Sequence, residues 1–222
     1  MGSYGINVQK GAIARSAEEA LTVAQSLDNS KGLVVKAQVQ AGGRGKGHLT
    51  SGMKGGVHIV DSPEIISEKA KGMIGYNLIT HQTTAEGLPV NSVLIHEAVD
   101  IDKQIYLAFL HDRKNQGLCA VYSKKGGMDI EAVAEEDPAA IRTVSFPLVD
   151  SLSNEIAEQI VDDLELTGKT RGQGIEQLQK LYNMFVGVDA TQIEVNPWAI
   201  TPDLDIYCVD AKINVDENAH YR

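Results

Sequence analysis

The alternation of apolar and polar positions in the first hundred residues predicts helices and strands in turn. Apolar residues between 20 and 27 recur at the spacing of one helix face, and Ser16 with Glu19 forms a capping-box pattern before them. Ser62 followed by Pro63 has the pattern of a second helix start. In chain order, the predicted elements are a helix at 16–29, strands at 32–40 and 55–60, a helix at 61–75 and a strand at 91–99.

The second half of the chain carries a different pattern. Two adjacent apolar runs joined by a polar turn predict neighbouring strands, and later apolar residues recur at helical spacing. The segment 124–138 contains two glycines and an acidic end, which predicts irregular structure. The remaining predicted elements are strands at 103–112 and 117–123, helices at 154–166 and 174–186, and strands at 190–200 and 205–215.

The change of pattern near residue 98 predicts two lobes in a mixed α/β (α+β) chain. The first covers residues 10–98, and the second covers 99–222 together with 1–9. Small-molecule sites are common between lobes of this kind, so a ligand cleft between them is the expectation.

Charge and composition restrict the function. The 222 residues carry a formal net charge of −10, which argues against general nucleic-acid binding. The chain has no run of eighteen apolar residues, so the sequence predicts no membrane span. Its start has no apolar region of the kind found in secretory signals. Cys119 and Cys208 lie in apolar runs, which indicates buried thiols in a reducing compartment.

A basic, glycine-rich loop follows the strand at 32–40. Lys36 lies on that strand, and Gly43, Arg44 and Gly45 lie in the loop "AGGRGKG". Glycines let backbone N–H groups approach an anion, while lysine and arginine supply charge, so the loop suits the phosphates of a nucleotide. A solvated turn beside a strand lysine remains the alternative.

Oxygen-bearing side chains gather near the end of the chain. Glu194 and Asn196 are two residues apart on a predicted strand and so share a face, and "VDAKI" supplies Asp210. Mg²⁺ takes a few protein oxygens together with phosphate and water oxygens, which fits this set. A hairpin with a polar face remains the alternative.

Other titratable residues carry weaker signals. Glu97 ends a predicted strand where a carboxylate could hold a sugar or an amino group. No histidine stands in a nucleophile motif, so all six are interpreted as structural or surface residues. They are His48, His58, His81, His96, His111 and His220.

Taken together and in order, these stretches resemble the nucleotide-binding part of the succinyl-CoA synthetase β-subunit family. The resemblance is carried by "VVKAQVQAGGRGKG", "HEAVDIDKQIYLAFLHDR", "DATQIEVNPW" and "DAKINVDENAHYR", and it extends along almost the whole chain. It implies an ATP-grasp fold of two lobes with the nucleotide in the cleft between them. Malate–CoA ligase and the citrate-cleaving enzyme share this architecture more loosely.

The resemblance also implies roles for individual residues. Lys36 matches a phosphate-contacting lysine, and Gly43, Arg44 and Gly45 match the phosphate loop. Glu97 matches an acid that contacts the nucleotide, and Val99 falls where a backbone group contacts the base. Asn196 and Asp210 match the two protein ligands of Mg²⁺. Gln104 departs from the family pattern, in which many members have glutamate, so a charged role at that position is in doubt.

The implied reaction is succinyl-CoA + phosphate + nucleoside diphosphate = succinate + CoA + nucleoside triphosphate, a step of the tricarboxylic acid cycle. No catalytic residue is expected here, because the phosphohistidine lies in the α subunit, the expected heterodimer partner. Family members continue into a CoA-ligase domain, whose absence predicts a fragment inactive alone. A malate or citrate ligase domain and a non-catalytic nucleotide-binding module remain alternatives.

Gln9 bears on the choice of nucleotide. GTP-using members resemble this chain in carrying glutamine there, and an amide can both donate to and accept from guanine. The resemblance therefore favours GTP/GDP with Mg²⁺ over ATP/ADP. A GTP-using form implies the mitochondrial matrix, with a bacterial cytoplasm as the alternative.

Overall fold

The predicted elements of the first hundred residues form one of two compact units in the computed structural model, which describes residues 1–219. This unit is Gln9–Asp100. Its elements are β1 (Gly11–Ala14), α1 (Ala17–Gln25), β2 (Leu33–Ala37), β3 (His48–Leu49), β4 (Val57–Val60), α2 (Pro63–Met73), β5 (Asn77–Ile79), β6 (Leu88–Pro89) and β7 (Val93–Glu97), with a 3₁₀ turn at Arg44–Lys46.

Two antiparallel sheets organise the unit Gln9–Asp100. The larger sheet has the strand order β1-β7-β2-β4, and the smaller has the order β3-β5-β6. Leu33, Val35 and Ile95 from the larger sheet are fully buried and share a hydrophobic core with Ile66 and Met73 of α2. Fully burying one side chain of this kind stabilises the folded state by about 1.5–3 kcal/mol, compared with leaving it exposed.

Both predicted helix starts in this unit are confirmed by their caps. The Ser16 hydroxyl accepts from the Glu19 N–H at 3.1 Å, and Ser62 caps α2 in the same way with Pro63 in its first turn. These side chains satisfy N–H groups that have no partner within the helix.

The second unit consists of Met1–Val8 together with Ile101–Arg222. Its elements include 3₁₀ turns at Gly2–Tyr4, Pro138–Ala140 and Glu217–Ala219. The helices and strands are β8 (Lys103–Asp112), β9 (Gly117–Ser123), α3 (Ile130–Glu136), β10 (Arg142–Phe146), α4 (Asn154–Asp163), α5 (Gly168–Gly187), β11 (Ala190–Ile200), β12 (Ile206–Cys208) and β13 (Ala211–Val215).

One antiparallel sheet forms the centre of this second unit. Its strand order is β10-β9-β8-β11-β12. Strand β13 pairs with the first part of β11, and β12 pairs with its last part. Trp198, Phe109 and Tyr182 are fully buried in one core with residues of α4 and α5. This core fixes β11, the strand that carries Asn196.

The structure corrects the prediction for 124–138. Residues 130–136 form α3, and the Asp129 side chain caps it by accepting from the N–H groups of Glu131 and Ala132. Only Val133 of α3 is buried, so the helix carries almost no apolar periodicity from which it could be predicted.

The last predicted strand is also corrected. The run 205–215 forms two strands, β12 and β13, because the chain breaks at Val209 and Asp210 opposite an irregularity in β11. Strands β1, β3, β5, β6 and β10 and the start of α5 at Gly168 were not predicted either. His220 lies outside the described residues.

Other expectations from the sequence are confirmed. The chain is a mixed α/β structure, and Cys119 and Cys208 are buried free thiols. Within residues 1–219, no helix has the length and apolar character needed to cross a membrane.

Candidate functional site

Lys36 lies in the middle of the larger sheet of the unit Gln9–Asp100. Strand β2 runs between β4 and β7, so Lys36 pairs with Val57 on one side and Leu94 on the other. The residue is only 6% exposed. A lysine is rarely buried without a compensating interaction, so this position is unusual for a residue with no role beyond the fold.

The loop after β2 is held in place by side chains from a distant turn. The Gly42 N–H donates to Gln82 Oε1 at 2.6 Å. Gly43 has a φ of 69°, and a Cβ there would lie 2.5 Å from the His81 ring. Glycine is therefore required at 43 by both conformation and space. Neither Gln82 nor His81 was predicted to support the loop, because no local pattern reports a contact across forty residues.

Arg44 and Gly45 differ in what surrounds them. The Arg44 Nη1 donates to the Ala37 carbonyl at 3.2 Å, so its guanidinium lies at the end of the strand that carries Lys36. A Cβ at Gly45 would have no neighbour within 4 Å, so the described structure does not itself require glycine there. The exposed backbone at Gly45 leaves room for a ligand to approach closely.

The register between β1 and β7 places Glu97 opposite Lys10 at one end of these strands, and Gln9 and Val99 lie just beyond that pair along the chain. Gly11 pairs with His96, and the Glu97 N–H donates to the Lys10 carbonyl at 3.0 Å. The Glu97 Oε1 already accepts from the Asp28 N–H at 3.0 Å, so this carboxylate also anchors the segment after α1.

Gln9 carries a buried donor. Its Nε2 is inaccessible to solvent and has no hydrogen-bond partner within residues 1–219. Leaving a buried donor unsatisfied costs about 1–3 kcal/mol, and such groups are uncommon in native structures.

Asn196 and Asp210 meet at a break in the sheet of the second unit. The Asn196 N–H donates to the Asp210 carbonyl at 3.0 Å, and the Val209 N–H donates to the Pro197 carbonyl at 3.1 Å. The register of β11 shifts between Val195 and Trp198 at this point, and the Asn196–Pro197 peptide is cis. The two residues that were predicted to bind metal therefore lie opposite each other on adjacent segments.

The amide of Asn196 is held by the segment before α3. Its Oδ1 accepts from the Gly127 N–H at 2.6 Å, and its Nδ2 donates to the Met128 carbonyl at 2.9 Å. These two bonds fix which way the amide faces. Because a carbonyl oxygen has two lone pairs, Oδ1 retains capacity for a second partner.

Oxygen ligands at this break suit Mg²⁺. Across residues 1–219, no three His, Cys, Asp or Glu side chains come together as a self-contained metal site. An ion held by Asn196 and Asp210 would therefore need oxygens from phosphate and water, which is how Mg²⁺ is usually bound.

The surroundings of this strand are acidic. Burial raises the pKa of Tyr106 well above its ordinary value, and the nearby carboxylates of Glu194 and Glu131 raise it further. A hydrogen bond with Asp129 raises the pKa of Glu131. The Glu194 carboxylate is also paired with the Lys212 ammonium group at 3.5 Å, so part of this charge is compensated within the unit.

Gly127 should not tolerate a side chain. Its φ is 73°, and a Cβ would collide with the Gln104 amide, which lies beneath it. We expect Gly127→Ala to lower the free energy of unfolding by about 1–2 kcal/mol from the backbone conformation alone. Urea denaturation measures this change.

Gly172 is the matched control. It is exposed in α5 with nothing near its Cβ position, so Gly172→Ala should raise the free energy of unfolding by about 0.5–1 kcal/mol. Equal stability of Gly127→Ala and the parent would contradict the left-handed backbone conformation at Gly127.

The predicted site residues fall into two groups. Asn196 and Asp210 are brought together in the second unit. The others all belong to the unit Gln9–Asp100, and they are Gln9, Lys36, Gly43, Arg44, Gly45, Glu97 and Val99.

Comparison with known proteins gives consistent matches. Residues 1–200 match the ATP-grasp domain family. The chain is 46% identical over 222 residues to the mitochondrial GDP-forming succinate–CoA ligase subunit β of Sus scrofa, covering 100% of this chain and 51% of that protein. It is 46% identical over 219 residues to the mitochondrial ADP-forming subunit β of Schizosaccharomyces pombe, covering 99% of this chain and 50% of that one.

Solved structures show the same fold. The dinucleotide-forming acetyl-coenzyme A synthetase 1 of Ca. Korarchaeum cryptofilum, solved with coenzyme A and acetyl-coenzyme A, superposes with a TM-score of 0.67 at 19% identity. The match covers 97% of this chain and 88% of that one. The chain spans about half the length of the curated relatives described above.

Proposed function

The chain belongs to the ATP-grasp domain family, and from this premise we propose that it is the nucleotide- and Mg²⁺-binding part of a succinate–CoA ligase β subunit. The complete enzyme would convert succinyl-CoA, phosphate and a nucleoside diphosphate to succinate, CoA and the triphosphate, reversibly. The observation that carries the proposal is the meeting of Asn196 and Asp210 at the strand break. It would bring two oxygen-bearing side chains to one ion, in a chain that is 46% identical to a subunit of this kind.

The proposed roles follow from charge and position. Lys36 and Arg44 would offset negative charge on the phosphates, and the open backbone at Gly45 would let them approach closely. Glu97 and the Val99 backbone would contact the nucleoside. Asn196 and Asp210 would hold Mg²⁺, which neutralises phosphate oxygens when it is bound.

The chemical step needs no nucleophile from this chain. A terminal oxygen of the diphosphate attacks the phosphorus of a phosphohistidine in the partner α subunit. The N–P bond breaks, and the histidine regains its neutral imidazole. Positioning and charge neutralisation are the contributions expected of this chain.

Gln9 supports a guanine nucleotide. Its buried Nε2 donor needs an acceptor, and guanine presents one at O6, where adenine presents an amino donor. The relatives include both GDP-forming and ADP-forming subunits, so this amide is our basis for choosing GDP/GTP. Their names also support a mitochondrial location, and we propose the matrix as the compartment and an α subunit as the heterodimer partner.

Calorimetric titration with GDP and ADP, each with and without Mg²⁺, tests this proposal. We expect Mg²⁺-dependent binding with a preference for GDP. Gln9→Leu should reduce that preference by roughly two- to twelvefold, because a hydrogen bond contributes about 0.5–1.5 kcal/mol net and each 1.4 kcal/mol is a factor of ten.

Gln25→Leu is the matched control, since Gln25 is exposed at the end of α1 and undergoes the same chemical change. It should leave the preference unchanged. If neither nucleotide binds, the proposed function is wrong for this chain. If both bind equally, the choice of guanine fails and the nucleotide site stands.

A further inference from the structure

A cavity of about 550 Å³ opens beside the glycine-rich loop in the unit Gln9–Asp100. Gly45 is the only one of its lining residues that belongs to the proposed nucleotide site. The lining residues are Gly45, Lys46, Gly47, His48, Lys54, Gly55, Val57 and His58. Two ammonium groups and two imidazoles therefore face a space with no carboxylate in its wall.

A closed hairpin holds these side chains in place. The Gly55 N–H donates to the Gly47 carbonyl at 2.8 Å, and His48 and Lys54 form a bridge pair above it. The base of this hairpin, at Gly47 and Gly55, is also bonded to the glycine-rich loop, because the Gly56 N–H donates to the Arg44 carbonyl at 2.7 Å. The hairpin backbone thus holds Lys46 and Lys54 close together at its base. Binding a ligand between them would therefore need little additional ordering of the chain.

The charge of this region is opposite to that of the whole chain. Residues 29–60 contain five lysine or arginine residues and no aspartate or glutamate, while the chain carries −10. Neither Lys46 nor Lys54 forms an ion pair with another residue in the described part of the chain. A local field of one sign in a concave surface concentrates ions of the opposite sign.

The imidazole of His58 is also oriented. A ring nitrogen, Nε2, lies 2.9 Å from the Gly55 carbonyl, and since a carbonyl accepts, this nitrogen carries a proton. His58 is half-buried in the wall, whereas His48, Lys46 and Lys54 are exposed. The cavity therefore combines an anchored ring with two exposed ammonium groups.

From these features we propose that the cavity is a second anion site, which binds a phosphate group independently of the Lys36 and Arg44 site. Phosphate suits it because a dianion can accept from the two ammonium groups at once, and from an N–H of the His48 ring. The group could arrive as inorganic phosphate or as the terminal phosphate of a nucleotide. The proposal does not depend on the proposed function.

Inorganic phosphate is the probe for the test. Imidazole signals of His48 and His58 are followed by NMR in the folded chain during a phosphate titration, with chloride at matched ionic strength as reference. We expect saturable shifts with phosphate only. The double variant Lys46→Ala/Lys54→Ala should weaken binding at least tenfold.

Lys69→Ala/Lys71→Ala is the matched control, because it removes the same charge from α2 in the same unit. It should bind phosphate as the parent does. The proposal would be overturned if the shifts do not saturate or if chloride reproduces them. It would also be overturned if Lys46→Ala/Lys54→Ala binds phosphate with unchanged affinity. A far-ultraviolet circular dichroism spectrum equal to that of the parent establishes that the variant is folded.

A second titration identifies the source of the phosphate group. A nucleoside diphosphate is added to phosphate-loaded Lys36→Met, in which the proposed nucleotide site is weakened. Displacement of phosphate, followed by the His48 and His58 signals, supports the site with a nucleotide phosphate as occupant. Retention of phosphate supports the site with inorganic phosphate as occupant. Nucleotide binding that depends on Lys36 is measured separately, so either proposal can fail alone.

Discussion

Replacing Lys36 with methionine should weaken binding of a nucleoside diphosphate by roughly ten- to a hundredfold while the chain stays folded. A hydrogen bond to a charged group contributes about 1.5–3 kcal/mol, and each 1.4 kcal/mol is a factor of ten in affinity. Methionine fits because Lys36 is only 6% exposed and lies between two strands. An unbranched apolar side chain of similar length fills such a site without leaving a cavity.

This substitution separates a binding role from a structural one. If Lys36 serves mainly the fold, Lys36→Met should lower the free energy of unfolding with little effect on Kd. If it serves the ligand, the Kd should rise with stability maintained or increased. Calorimetric titration and urea denaturation of the same protein measure the two quantities.

Lys31→Met is the matched control for Lys36→Met. Lys31 lies five residues earlier, and its side chain is 51% exposed in a surface ion pair with Asp100 at 3.1 Å. Such pairs contribute about 0–1 kcal/mol, so this variant should bind nucleotide as the parent does. An equal loss of affinity in both variants would mean that Lys36 acts only through the general positive charge of the region.

Three long strands of the second unit were the most accurately predicted elements of the fold. Residues 103–112, 117–123 and 190–200 form β8, β9 and β11 with the predicted bounds. Each combines β-branched or aromatic residues with a polar turn at its end, so the local signal and the tertiary structure agree. Helix α3 lacked this agreement, because two glycines precede it and it buries one side chain.

The supports of the candidate site could not be predicted from the sequence. Asn196 is oriented by Gly127 and Met128, which lie 69 and 68 residues away along the chain. Gly42 is held by Gln82, forty residues away. Contacts of this kind depend on how strands pair and where loops turn back, and neither is encoded in a local pattern of polarity.

The pairing of Asn196 with Asp210 shows where resemblance adds to local reasoning. Two strand-like stretches and a shared face were visible in the residues. The break at Val209 and Asp210 was not, because the run 205–215 was predicted as one strand. The irregular register of β11 between Val195 and Trp198 produces the break, and it brings the Asp210 backbone to Asn196.

Replacing Asp210 with asparagine should remove most of the gain in nucleotide affinity that Mg²⁺ provides. Asparagine keeps the size and an acceptor oxygen but lacks the charge that a hard dication prefers in its ligands. We expect the ratio of Kd values without and with Mg²⁺ to fall at least tenfold, equivalent to about 1.4 kcal/mol. Titrating GDP at several Mg²⁺ concentrations measures this ratio.

Asp203→Asn is the matched control, because Asp203 is exposed in the turn between β11 and β12 of the same unit and loses the same charge. It should leave the Mg²⁺ dependence unchanged. Affinity without Mg²⁺ should be equal to the parent's or higher in Asp210→Asn, since removing a carboxylate reduces repulsion of phosphate. This rise would separate a lost metal ligand from a damaged nucleotide site. Unchanged Mg²⁺ dependence in Asp210→Asn would exclude Asp210 as a ligand and move the ion to other oxygens.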